Sequence, residues 1–542
     1  MNIKNTIADA MKKAALCIKK YSDDELTTNC EWIEELYRIC IRFRRLFRNY
    51  PIELFLSPYT EQLKRLFAND DTKNRVINMW MEKFDVSSDD IKMFISKLVF
   101  LTNSIQDDSS LKIMEFAQTT KNADYRYWTA MDISMFTFLA SDGFYPNYYN
   151  NRKELLSRIV REQKIEIPAR KNKSSKIRIC IITFMYKGHI QSSVQRVVNM
   201  VTNAMSDRAD EVMLISLESF YAGYGEGIKI NTARRKTSAR MYINKVKSMI
   251  NQQVKVVYAK GDSIKKRMQD AVDKIYHFNP TCIIDISDEF SHISEVYSRD
   301  YPVIYMPLRI SGSSMTYTRI LGSDWMYKKA NEKFGCIDIS KVANWMLPEY
   351  VPPEGSAISR SDIKIKDNSF VIVSVGYNSS GFSNEMIDAM CNLLKEHKNY
   401  CWLFVGEDGS SYLHEKYSEL LSNKKIIEHG YEKNLSGLYK TCDVLLRSET
   451  TGSSGATAIA AMQGLPIVMS DYECDPMRWL GKEYSLLHTP SELVSEIERL
   501  CDDKDYYALK QKQVIELVNK ATDENYWWDE LFKMSIELGK RN

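Results

Sequence analysis

The sequence predicts an α/β protein, with two doubly wound parallel-sheet units behind an all-α amino-terminal region. Three observations predict it. Residues 1–168 show amphipathic helical spacing, as in EWIEELYRICIRFRRLF (31–47) and DDIKMFISKLVFLTNSI (89–105), with few glycines and no strand-like alternation. After the polar, basic run ARKNKSSKIR (169–178), short apolar β-branched segments alternate with helical ones. That alternation stops at MLPEYVPPEG (346–355), whose prolines and glycine read as a linker, and then begins again.

Composition sets the outer limits. A chain of 542 residues exceeds one hydrophobic core, and about 100–200 residues per domain suggests three or so. Hydrophobic residues at 44% and charged residues at 27% fit a globular protein. The 74 basic and 71 acidic residues leave a net charge of +3, so no overall field calls for nucleic acid. The eleven cysteines form no CxxC pair and no regular spacing, against a zinc site or disulfide framework. The start, MNIKNTIADAMKKAALCIKK, lacks an apolar core of signal-peptide length, and no run of about 18 apolar residues follows, so the expected location is the cytoplasm.

The expected boundaries are 1–168 for the all-α domain, 176–350 for the first α/β unit, 365–515 for the second, and 516–542 for carboxyl-terminal helices returning to the first. The first unit holds strands RICIITFM (178–185), EVMLISLE, TCIIDIS (281–287) and YPVIYMP (301–307), with a helix over SSVQRVVNMVTNAM. The second holds strands SFVIVSVG (369–376), YCWLFVG (400–406), KIIEHG (425–430) and DVLLRS (443–448). Helices are expected over NEMIDAMCNLLKEH, LHEKYSELLS and LSGLYKTC. Both units read as Rossmann-like. Trp527 or Trp528, in ENYWWDELFKM, is expected to anchor the final helices.

The most specific stretch is ETTGSSGATAIAAMQGLPIVMSD (449–471). It lies between strand DVLLRS and a helix expected from near Ala456, so its backbone N–H groups stand at a helix amino terminus, where anions bind. Gly452 and Gly455 permit close backbone approach, and Thr450, Thr451, Ser453 and Ser454 can donate hydrogen bonds to diphosphate or sugar oxygens. Gly464 ends the helix and Pro466 prevents its extension. The segment is neither a GxxxxGK[ST] P-loop nor the GxGxxG turn of a first βα unit. Read alone, it could also be an ordinary capped βα loop. Arg447, ending the preceding strand, is the first candidate to neutralise a departing diphosphate, with Lys440 and Arg478 behind it.

Residues 425–471 resemble the donor-binding half of GT-B glycosyltransferases, which carry two facing Rossmann domains; AAMQGLP (460–466) is similar to their EAMxxGxP helix. The resemblance covers about 176–540, strongly over 369–471 and only in architecture elsewhere. It implies transfer of a sugar, of hexosyltransferase type, from a nucleotide-diphosphate donor, UDP-linked, without a metal or separate cofactor. Gly430 and Tyr431, in IIEHGYEKN, would meet the nucleotide base, and Gly376, closing the first strand of the unit, would also border the donor. Many retaining members carry paired glutamates around the loop. Here the second falls at Ile459, with Thr451 or Gly452 near the first, so both carboxylates are missing. Thr450-Thr451-Gly452 looks like the His-Thr-Thr-Gly loop of O-GlcNAc transferase without its histidine.

In the first unit, YKGHIQSS (186–193) resembles the acceptor-side glycine-histidine loop, with Gly188 for the turn and His189 as a candidate general base. SDEFSH (287–292) offers Asp288 as a second catalytic candidate, beside Glu289 and His292. The basic cluster Arg42, Arg44, Arg45 and Arg48 reads as a solvated helix face. The acceptor is a protein or a saccharide; domain order similar to adhesin-modifying transferases makes a protein conceivable. Two other readings stay open: a noncatalytic GT-B-like partner of a glycosylation system, and a sugar-nucleotide epimerase.

Overall fold

The structure is a computed structural model that describes residues 160–542, except 173, 184–192, 218–248, 261–263, 287–292, 308–316, 325–326, 329–330, 333–337, 350–354, 377–381, 407–410, 448–453, 470–476, 482–486, 488 and 542. The predicted all-α region lies outside the described residues but for its last few positions. The chain divides into two compact units, one carrying each sheet's core.

The first sheet has strands β1 (Arg178–Thr183), β2 (Glu211–Ser216), β3 (Lys255–Tyr258), β4 (Cys282–Ile286), β5 (Val303–Tyr305), β6 (Arg319–Gly322) and β7 (Val342–Asn344), in the order β3-β2-β1-β4-β5-β6-β7. Pairings from β3 through β6 are parallel. Mostly apolar runs such as CIIDI are buried along their whole length because parallel strands are covered on both faces. Helices α1 (Ser193–Ser206), α2 (Ile264–Phe278) and α3 (Ser294–Tyr297) belong to this unit. So do the residues from Met534 onward. Gly539 lies so near Thr281 that a Cβ there would come within 2.3 Å of its methyl group.

The second sheet has β8 (Phe370–Gly376), β9 (Tyr400–Gly406), β10 (Ile426–Glu428), β11 (Val444–Leu446) and β12 (Ile467–Val468), all parallel, in the order β10-β9-β8-β11-β12. Its helices are α4 (Asn384–Glu396), α5 (Ser411–Lys416), α6 (Ser418–Ser422), α7 (Leu435–Tyr439), α8 (Ser454–Met462), α9 (Met477–Leu480), α10 (Pro490–Asp502) and α11 (Lys504–Ala521); the last helix, α12 (Glu524–Arg541), belongs to this unit as far as Lys533. The single helix expected over LHEKYSELLS is two, broken where the Tyr417 ring turns into the core. Its hydroxyl bonds Asp388. The core links its strands by polar contacts as well: Trp402 Nε1 donates to Ser374 Oγ at 3.0 Å, and Ser374 Oγ to the Leu446 carbonyl at 2.8 Å.

The start of the expected linker, with Trp345 just before it, is packed through Glu349. Trp345 is 3% exposed, its Nε1 donates to the Trp527 carbonyl at 2.8 Å, and its ring meets both Trp527 and Trp528. Glu349 N–H donates to the Ala521 carbonyl at 2.9 Å.

Candidate active site

In each sheet the strands, taken in chain order within their unit, begin 3-2-1-4-5. The order reverses between β1 and β4 in the first sheet and between β8 and β11 in the second. At such a switch point the chain leaves adjacent strands toward opposite faces, and a crevice opens at their carboxyl ends.

In the second unit that position is bounded by Gly376 and Arg447. Gly376 ends β8, and a Cβ built on it would meet no described atom within 4 Å. Its register partner Gly406 ends β9 with φ +133°. Gly406 N–H donates to the Gly430 carbonyl at 2.8 Å, and Gly430, after β10, has φ +75° with no described atom within 4 Å of its Cβ position. Only glycine holds such a backbone without strain. Tyr431 follows, 77% exposed. Glu432 then fixes the turn, its carboxylate accepting the Asn434 N–H at 2.6 Å and facing His429 Nε2 at 3.1 Å. Chiefly the Asn434 N–H, aided by His429 and opposed by burial, holds the Glu432 carboxyl below its ordinary pKa.

Arg447 follows β11 directly and is only 7% exposed. Its Nη1 donates to Thr457 Oγ1, one turn into α8, so the strand end and the helix are joined by a charged hydrogen bond. The Tyr439 hydroxyl is fully buried and without a hydrogen-bond partner among the described residues; burial raises its pKa, Cys442 adds to this, and the Arg447 charge opposes it. Lys440, by contrast, is exposed and reaches the Gly355 carbonyl at 3.4 Å.

Helix α8 begins at Ser454 rather than Ala456, and Gly455 is its second residue. It ends before Gly464, which takes φ +76° as a helix-terminating glycine should. Ser454 is 9% exposed and fully engaged: its hydroxyl donates to Glu349 Oε1 and accepts the Trp479 Nε1–H at 2.8 Å. Ile459, where the resemblance puts a carboxylate, is buried at 8%. Sequence reasoning missed Glu349 and Trp479, which stand 105 and 25 residues from Ser454 and carry no local motif.

Thr450, Thr451, Gly452 and Ser453 lie outside the described residues, as do His189 and Asp288. Among the described residues, Thr183 and Ile286, which precede His189 and Asp288 in the sequence, are in register at the ends of β1 and β4. Beside them Asp285, fully buried, accepts the Tyr297 hydroxyl at 2.5 Å. Among the described residues no cluster of metal-ligating side chains occurs, and no helix is long and apolar enough to cross a membrane.

No protein-family model and no curated protein matches this sequence. Solved structures do match. A mutant O-GlcNAc transferase from Thermobaculum terrenum superposes with a TM-score of 0.54 at 12% identity, over 100% of this chain and 99% of that one. The fold is GT-B-like. Sucrose-phosphate synthase from Thermosynechococcus elongatus (TM-score 0.45, 10% identity, 68% of this chain and 100% of that one) is also similar. So is Anabaena HepE in complex with UDP (0.43, 14%, 66% and 99%). At 12% identity the likeness to the O-GlcNAc transferase is one of fold; in this chain the second sheet's switch point falls between β8 and β11, at the strand ends of Gly376 and Arg447.

Proposed function

We propose that this chain is a glycosyltransferase that takes a sugar from a nucleotide-diphosphate donor, UDP-linked, bound at the carboxyl end of the second sheet, and passes it to a protein or saccharide. The supporting observation is the β8/β11 switch point. On one side lies a glycine with no described atom within 4 Å of its Cβ position, and on the other a buried arginine hydrogen-bonded to α8. In this reading Arg447 offsets the charge of the leaving diphosphate, α8 and the loop before it cradle the phosphates, and Gly430 and Tyr431 border the base. His189 acts as general base toward the acceptor hydroxyl, and Asp288 assists from the neighbouring strand end. The sugar anomeric carbon–oxygen bond to the diphosphate breaks, the acceptor oxygen takes its place, and the acceptor proton passes to the base. The fold shared with an O-GlcNAc transferase is consistent with such chemistry.

The test is incubation of purified chain with UDP-glucose and UDP-N-acetylglucosamine, with and without candidate acceptors, followed by separation of the nucleotides. A transferase releases UDP, faster with acceptor. An epimerase converts the sugar nucleotide without releasing UDP, and a noncatalytic partner leaves it unchanged; either result contradicts the proposal.

A further inference from the structure

The segment before the second sheet brings a carboxylate to the donor side of this unit. Glu349 comes from outside every recognisable motif, yet its Oε1 accepts the Ser454 hydroxyl at the first residue of α8. Trp479 Nε1 holds the same hydroxyl from behind at 2.8 Å, and both Ser454 and Trp479 are buried. Glu349 itself is only half-buried, with its backbone fixed to Ala521.

The chemistry that follows is restrictive. A serine hydroxyl carries one proton, and that of Ser454 is committed to Glu349, so it is not offered to a phosphate oxygen. An ionised carboxylate accepts hydrogen bonds and donates none. A terminal phosphate that is doubly ionised near neutral pH has no proton to share with it and repels it. A sugar esterified to that phosphate removes one negative charge and presents hydroxyl donors instead.

We propose that Glu349 determines donor specificity, accepting hydrogen bonds from hydroxyls of the diphosphate-linked sugar and weakening, without abolishing, the binding of nucleotides that end in a free phosphate. Ser454 and Trp479 are its positioning residues. The inference rests on the donor reading above, and it places at Glu349 the carboxylate that the Thr450–Gly452 loop and Ile459 lack.

Calorimetric titration of UDP, UTP and UDP-glucose into the full chain tests it, alongside Glu349→Gln and Glu349→Asp, each checked by its melting curve. In Glu349→Gln, UDP and UTP should bind about tenfold more tightly, UTP gaining most because each added phosphate charge feels the lost repulsion. UDP-glucose should bind no better or more weakly. Glu349→Asp keeps the charge and should keep the discrimination against UTP even where the Ser454 contact is strained. If all three ligands shift by one common factor in Glu349→Gln, or none shifts, Glu349 only braces α8 and the inference is overturned. A wild-type chain that binds none of the three overturns the donor reading itself, and this inference with it.

Discussion

Gly376 and Gly406 stand in register at the carboxyl ends of β8 and β9, so close that a Cβ on Gly406 would lie 2.0 Å from the Gly376 carbonyl oxygen. The two glycines have opposite tolerances. Gly406 also sits at φ +133°, so Gly406→Ala should destabilise the protein by about 2–4 kcal/mol through clash and backbone strain. Gly376→Ala meets no described atom within 4 Å and should change stability by less than about 0.5 kcal/mol. Urea denaturation of both variants checks the pair; equal losses would mean that Gly376 is also a packing glycine.

Arg447 has a partner in the fold and a proposed one in the donor, and the two are separable. Thr457→Val removes the hydroxyl that accepts from Arg447 Nη1 and should cost about 1.5–3 kcal/mol, as expected for a buried hydrogen bond to a charged group. Its affinity for UDP should stay within about twofold of wild type, because the guanidinium charge remains. Arg447→Ala should lose stability and weaken UDP binding by about tenfold or more. Urea melts with calorimetry decide this, and unaltered UDP affinity in Arg447→Ala would make the arginine a structural residue only.

The Glu432 turn predicts a pH dependence. The folded protein holds this carboxyl below its ordinary value, mainly through the Asn434 N–H, so its stabilising contribution is fully present above the unfolded glutamate pKa of about 4.3. It is lost as pH falls through the lowered folded value. Melting temperatures of wild type and Glu432→Gln should therefore differ most near neutrality and converge under acid. A gap that stays constant from about pH 7 to pH 3 would show that the glutamate acts through shape rather than charge.

Much of this was legible in the sequence, for a simple reason. Runs such as RICIIT, CIIDI and YCWLFVG are mostly apolar with no polar alternation, a pattern that fits strands covered on both faces, and they form the centres of the sheets. The outer strands of the first sheet were not legible: KVVY of β3, RILG of β6 and VAN of β7 are short and partly exposed, so no long apolar run marks them. At the candidate site, Gly464 and the Arg447 strand end could be placed because local chain geometry dictates them. Glu349 could not, because its role depends on a contact 105 residues away, and the prolines beside it suggested a linker. The break in LHEKYSELLS was hidden likewise, since it follows from Tyr417 reaching Asp388 rather than from a local helix breaker.

Titration of UDP into wild type and Gly376→Val tests the central claim most directly. The added side chain meets no described atom within 4 Å of its Cβ at the end of β8, so the fold should persist, with a melting temperature within a few degrees of wild type. If the donor lies at the β8/β11 switch point, wild type binds UDP and Gly376→Val binds it at least about tenfold more weakly, a loss of about 1.4 kcal/mol. Equal UDP affinity in the two proteins, or no binding by the wild type, would contradict the account.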